Sequence, residues 1–223
     1  MTKLFKIALV LFIVMDSSNL YAQISNLSDV RGNVLRQNSY VEMDGSPYLS
    51  EKWQNGTVIF ASGKIVKDVA LKYDQVKDEL LFSGKDNEEY YFNEAVAEFT
   101  LKGENDKISV FKNGFPVLKN LTKNSFYEIL VDGEVKLLKK NIKTINESKE
   151  FNSATTTRSI EENLSYYIFK ANSLVQLKKG DLKSLASALD PQKSEAIIEF
   201  ARNNKLNLNK EEDLKKLLIY YNK

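Results

Sequence analysis

Apolar and polar residues alternate through a series of short runs between Gly56 and Lys178, and that period of two predicts strand after strand. "KIVKDVALKY" (64–73) shows it well. Ile65, Val69, Leu71 and Tyr73 fall on one face with Lys67, while Asp68, Lys72 and Asp74 share the other with Val66 and Ala70. "TVIFA" (57–61) precedes this run across Ser62-Gly63, a short hairpin connection. "ELLFSG" (79–84) and "EEYYFNE" (88–94) flank the turn residues Lys85-Asp86-Asn87. "AVAEFTLKG" (95–103) turns Ala97, Phe99 and Leu101 inward and Glu98, Thr100 and Lys102 outward, and "KISVFKNGF" (107–115) follows. In "FYEILVDGEVKLLKK" (126–140), Asp132-Gly133 between two apolar runs suits a tight type I′ turn. Residues 146–160 offer only Phe151 and Ile160 to bury and read as a long exposed loop. "LSYYIFKANSLVQLK" (164–178) closes the series as a hairpin through Asn172-Ser173.

The period changes at Gly180. Leu182, Leu185, Ala186 and Leu189 recur at helical spacing behind Asp181, a suitable N-cap. Asp190 with Pro191 starts a second helix whose apolar stripe is Ile197, Phe200 and Ala201. Asn209 with Glu212 forms a capping-box pattern before a third, with Leu214, Leu217, Leu218 and Tyr221 as its buried stripe. The expected fold is therefore α+β: an antiparallel β-meander of about eight to ten strands, as a sandwich or partly closed barrel, followed by a short three-helix segment. The β domain covers 23–179 and the helical segment 180–223.

The first 22 residues stand apart. Lys3 and Lys6 precede the apolar run "IALVLFIVM", and small Ala22 lies before Gln23, so the pattern is that of a secretory signal peptide cleaved between Ala22 and Gln23. The run is too short for a permanent span of about 20 residues. No later segment is apolar enough to cross a membrane, so the mature chain is expected to be soluble.

Formal net charge is +2, and loss of Lys3, Lys6 and Asp16 with the signal lowers it to +1. So even a balance weighs against nucleic-acid binding, which needs a concentrated basic face. The chain has no cysteine and no histidine. Disulfides, a lipoprotein anchor, thiol catalysis, Ser-His-Asp hydrolysis and Cys- or His-ligated metals are thereby excluded. The inventory weighs against an enzyme, and no catalytic residue, metal or cofactor is assigned.

Three candidate chemistries have plainer readings. Asp68, Asp74, Asp78 and Glu79 could serve a carboxylate-only hydrolase. Asp68 and Asp74, however, lie about 20 Å apart along a strand, and adjacent Asp78 and Glu79 point to opposite faces in one. Solvated sheet positions are the expectation. Ser109 to Lys112, "SVFK", has serine acyl-transferase spacing, which works on a helix and not on a strand. The acids Asp86, Glu88 and Glu89 lack the spacing of a calcium loop. The aromatic residues carry more: Tyr48, Trp53, Tyr90 and Tyr91 are candidate ligand-binding residues, able to grip a peptide or stack on sugar, against the alternative that tyrosine simply suits sheet rims.

Several separated motifs resemble a family of small exported proteins of Bacteroidetes bacteria. They are "GSPYL" (45–49), "GTV" (56–58), "DVALKYDQVKDELLF" (68–82), "FYEILVDGEVKLLKK" (126–140), "YYIFK" (166–170) and "LNLNKEEDLKKLLIYYN" (206–222). The resemblance implies a Gram-negative envelope, in the periplasm or at the cell surface, and transfers no activity and no site residue. The functional expectation is a non-enzymatic module that binds an envelope protein or peptide. The alternative is a carbohydrate- or lipid-binding module, and a carboxylate hydrolase is more remote.

Overall fold

The computed structural model describes residues 33–34, 40, 43–84, 88–149 and 156–223, so the expected signal peptide and the turn at 85–87 lie outside the described residues. Among the described residues there are eleven strands: β1 (Asn33–Val34), β2 (Gln54–Phe60), β3 (Ile65–Asp74), β4 (Glu79–Ser83), β5 (Glu89–Tyr91) and β6 (Val96–Lys102), then β7 (Ile108–Lys112), β8 (Tyr127–Val131), β9 (Lys136–Lys149), β10 (Thr156–Lys170) and β11 (Ser173–Gln176). They form one antiparallel sheet in the order β1-β5-β4-β3-β2-β6-β7-β8-β9-β10-β11. Helices α1 (Leu182–Leu189), α2 (Ser194–Asn203) and α3 (Glu211–Tyr221) follow. This is the expected α+β meander with a three-helix segment.

The sheet is curled but not closed. The β3–β4 turn reaches the middle of β9, where the Lys143 N–H donates to the Gln75 carbonyl at 3.3 Å. Curling creates the first core, in which Phe60, Leu71, Tyr73, Phe99, Phe111 and Phe126 pack together. A second core lies on one face of β8–β10, under the helices: Val135, Leu137 and Ile168 meet Leu185, Ile197 and Leu217. The loop before β8 covers the opposite face with Phe115 and Leu121, which pack on Tyr127, Leu138 and Tyr167.

Local chemistry revises several expectations. In β3 the pairing shifts between Gly56 and Val58 of the partner strand, and Asp68 takes φ 56°. That bulge inverts the alternation ahead of it. Val66 joins Val69, Leu71 and Tyr73 in the core, and Ile65 is left 56% exposed. Of the expected loop over 146–160, residues 146–149 and 156–160 are instead strand: β9 and β10 pair without interruption from Lys136–Phe169 to Lys149–Thr156. Asp181 caps α1 as expected, accepting from the Ser184 N–H at 2.9 Å. Asp190 instead organises a turn, accepting from Gln192 N–H, and α2 begins only at Ser194. No capping box forms at α3, because Asn209 N–H is satisfied by the Asn207 side chain and Asp213 binds Asn207 N–H.

Nor is Asp132-Gly133 a type I′ turn, since Gly133 lacks the required positive φ. The glycine serves close approach. A Cβ there would lie 2.6 Å from the Asn222 amide. That amide, at the end of α3, donates to Val135 O (2.8 Å) and accepts from Val135 N–H (3.0 Å), pinning the last helix to the sheet. Asn222→Ala strands both buried groups of Val135 and should lower stability by about 1–3 kcal/mol in urea unfolding. Gly133→Val should cost at least as much, by pushing the amide away, and wild-type stability in both variants would refute the latch.

Candidate functional site

The segment 43–50 crosses from β10 to β3. Leu49 N–H donates to Tyr73 O and Gln75 N–H to Pro47 O, both at 2.9 Å, which sets Tyr48 beside Trp53 on one side of β3. The sheet supplies the cation. Lys72 leaves its ammonium 4.7 Å from the Tyr48 ring centre and 4.5 Å from that of Trp53, ion-paired to Glu89 at 3.0 Å. Next to it, Lys77 sits 5.7 Å from the Tyr40 ring and 5.3 Å from Tyr91, and donates to the Tyr91 hydroxyl at 2.9 Å. Tyr40 meets Tyr48 edge to face at 6.1 Å.

Three of the four aromatic candidates, Tyr48, Trp53 and Tyr91, thus gather in one cluster. Tyr90 does not join them: it stacks on Phe82 at 5.5 Å, and its hydroxyl donates to Glu88 at 2.6 Å. The alternation of β5 separates the two neighbours. Sequence reasoning missed Tyr40, Lys72 and Lys77. Lys72 in an alternating strand and Lys77 in the turn after it both read as solvated, and the rings that meet them come from segments remote in sequence. Chemically the cluster is self-filled. A protein cation lies over the Tyr48 and Trp53 rings, where a sugar would stack.

Asp68 and Glu79 are exposed as expected, whereas Asp74 and Asp78 are placed otherwise. Asp74 is 0% exposed. One oxygen accepts Val76 N–H and Lys77 N–H at 2.9 Å and the other accepts the Tyr40 hydroxyl at 2.6 Å, so it is a turn-forming carboxylate and not a solvated one. Asp78 takes φ 61°, outside strand geometry, and lines one cleft of about 310 Å³ together with Glu79. The two therefore do not oppose each other across a strand. Burial raises the Glu79 carboxyl above its ordinary value, against the pull of Lys77. Asp78 is fully engaged: Tyr73 O–H and Phe126 N–H donate to one oxygen and Lys140 pairs with the other at 2.6 Å. A nucleophile or base held by three donors is poorly set for hydrolysis. Burial also holds the Lys140 ammonium below the ordinary lysine value, despite Asp78. Ser109 and Lys112 are engaged separately, by Glu128 at 2.8 Å and Glu98 at 3.1 Å.

Another concavity is a groove of about 340 Å³ between β10 and the helices. Leu164, Tyr166, Leu185, Leu208 and Leu214 line it, with Lys178 and Lys179 also on its wall. Among the described residues no three acidic side chains come together as a metal site, and no helix is long and apolar enough to cross a membrane. No family profile, curated protein or solved structure matches the chain.

Two measurements check the cluster and the buried hydroxyls. Lys72→Met uncovers both rings and leaves Glu89 without its ion pair. It should cost about 1–3 kcal/mol and alter the emission of Trp53, the sole tryptophan. Unchanged stability and emission would place the ammonium elsewhere. Burial also raises the hydroxyls of Tyr40, Tyr48, Tyr73, Tyr91 and Tyr127 above their ordinary value of 10.0. Groups that keep their protons longer folded than unfolded contribute fully below that pH, and the contribution fades as pH climbs past it. Tyr166, Tyr167, Lys139 and Lys170 are raised as well, and Lys140 alone among these groups acts in the opposite sense. Stability should therefore fall above about pH 10, with tyrosinate absorbance and loss of ellipticity appearing together. Tyrosinate absorbance rising at full ellipticity is the contrary result.

Proposed function

We propose that this chain is an exported envelope protein, in the periplasm or at the cell surface, that binds a partner protein or peptide without chemistry. The observation that carries the reading is the β9–β10 ribbon. Its outer rungs, from Thr144 to Lys149 on β9, are exposed, and none of them belongs to a core cluster. Paired with β10, they run about 20 Å past Lys143 at roughly 3.4 Å per residue, and among the described residues only Asp44 bridges them to the body, at Arg158 and Ile160. A two-stranded ribbon is marginal in water by itself, so such an extension adds little to the stability of the fold. Cross-strand Ile145 and Ile160 give it an apolar step among polar rungs, the anatomy of a contact surface. The self-filled aromatic cluster and the fully engaged Asp78 lend less to the sugar-binding and hydrolytic alternatives.

A photo-crosslinking residue at Ser148 should capture one reproducible envelope protein, while the same residue at exposed Lys67 should not. Joining Thr144 to Glu161 through Asn-Gly should abolish capture while the body still unfolds cooperatively, at a somewhat lower temperature because Arg158 and Ile160, which hold Asp44, go with the ribbon. Equal capture from both positions, or capture surviving the shortened ribbon, removes the reading.

A further inference from the structure

The course of β10 leaves part of a sheet edge uncovered. On its inner side β10 pairs with β9 throughout. On its outer side β11 pairs only with Tyr167 to Lys170, and Leu177 N–H then donates to Tyr166 O at 2.8 Å. Beyond that point the chain turns away through Gly180, at φ 70°, into α1. Further along, Asp44 takes the same edge: its N–H donates to Arg158 O at 2.9 Å and its carbonyl accepts Ile160 N–H at 2.8 Å. Between these two attachments lie Glu161 to Ser165.

The direction of the free groups follows from the ladder. Lys143 N–H leaves the ribbon for Gln75 O, so Lys143 and its partner Glu162 form a non-hydrogen-bonded pair. Glu162 and, two residues on, Leu164 therefore aim both N–H and C=O at the open edge, in phase with Arg158, Ile160 and Tyr166. Among the described residues nothing bonds to these outward groups. Leu164 is 46% exposed.

The edge opens onto the groove described above. Its floor is apolar, and neither Lys178 nor Lys179 has an ion-pair partner among the described residues. The nearby acids are occupied: Asp181 accepts from Ser184, Glu161 from Asn146, and Glu162 binds Lys143 at 2.9 Å. We infer that the β10 edge between Ile160 and Tyr166 takes an extended segment of a partner protein, antiparallel and in line with β11, carrying an apolar side chain flanked by carboxylates. The backbone ladder supplies affinity, the leucine floor selects the apolar residue, and the two lysines select the acids. The open stretch from Glu161 to Ser165, about 17 Å at roughly 3.4 Å per residue, suits about five residues. The inference rests on the partner-binding reading and assigns it a second contact, at the root of the ribbon.

Amide exchange in the mature protein tests it, with the probe acetyl-Thr-Glu-Val-Glu-Leu-Thr-amide at millimolar concentration. In free protein the Glu162 and Leu164 amides should exchange fast, whereas Asn163 and Ser165 should be slow. The probe should slow the first pair about tenfold when present at ten times its dissociation constant. Methylating the probe's ladder-forming nitrogens should abolish this, as should Leu164→Pro, which removes an outward N–H without touching the β9 ladder. Replacing the probe's glutamates by lysine, or Lys178→Glu with Lys179→Glu, should weaken it several-fold. Protection of Glu162 and Leu164 in free protein, or no slowing by the acidic probe, overturns the inference. If Ser148 crosslinks persist in that case, only the edge assignment falls; if they too are absent, partner binding falls with it.

Discussion

The connection from β5 to β6 constrains the whole sheet. Tyr91 and Val96 are five residue steps apart, a reach of at most about 18 Å. In the sheet, β4, β3 and β2 stand between them, which in a flat arrangement is about 19 Å laterally, before any offset along the strands. A flat sheet cannot be threaded this way. The sheet therefore curls, Phe92 folds back to within 5.5 Å of Phe60, and Ala61 N–H donates to Ala95 O. Everything inside the curl follows: the aromatic packing of Tyr73, Phe99, Phe111 and Phe126, and the arrival of the β3–β4 turn at β9.

That arrival turns polar residues inward. Tyr73, Asp78, Lys140 and Lys143 meet where two sheet regions distant in sequence close on each other, and burial requires each polar group to find a partner. Lys140 answers Asp78, and Lys143 donates to Ser46 O and Tyr48 O while pairing with Glu162. Left-handed backbone at Asp68 and Asp78 makes these placements possible. Such a network fixes one register between the curled half and the ribbon, because an unpaired ion at any of these positions is expensive.

How much of this was legible depends on range. The strand succession, the turn to helices at Gly180, the Asp181 cap and the stripes of Leu185, Ile197 and Leu217 are local patterns, and they hold. The bulge at Asp68 was not legible, since its effect is to move Val66 into the core, and strict alternation carries no mark of an extra residue. Asp74 read as solvated because its neighbours in sequence are polar, yet its donors are turn amides and Tyr40. Residues 146–160 read as a loop because they lack apolar residues, whereas a ribbon built on cross-strand backbone pairing needs few. Tyr48, Trp53 and Tyr91 read as candidate ligand-binding residues, but the lysines over their rings arrive by tertiary contact alone.

The same curl explains why an edge is left open. Docking of the β3–β4 turn on β9 occupies the inner edge of the ribbon at Lys143, and the outer edge of β10 is left open between Leu177 and Asp44. Natural sheets protect such edges with short strands, charges or covering segments. Here all three devices are present: β11 is four residues long, Lys178 and Lys179 follow it, and Asp44 covers two positions. They stop short of each other by the width of Glu162 and Leu164. A protein selected only against aggregation would gain from extending β11 by about five residues, to the position opposite Glu162, since the leucine floor beneath is already suited to an apolar side chain. The chain instead leaves through Gly180 and puts two cations at the margin. Like charges repel a second copy of this same edge, while an acidic strand is admitted, so protection and selectivity come from the same pair of lysines.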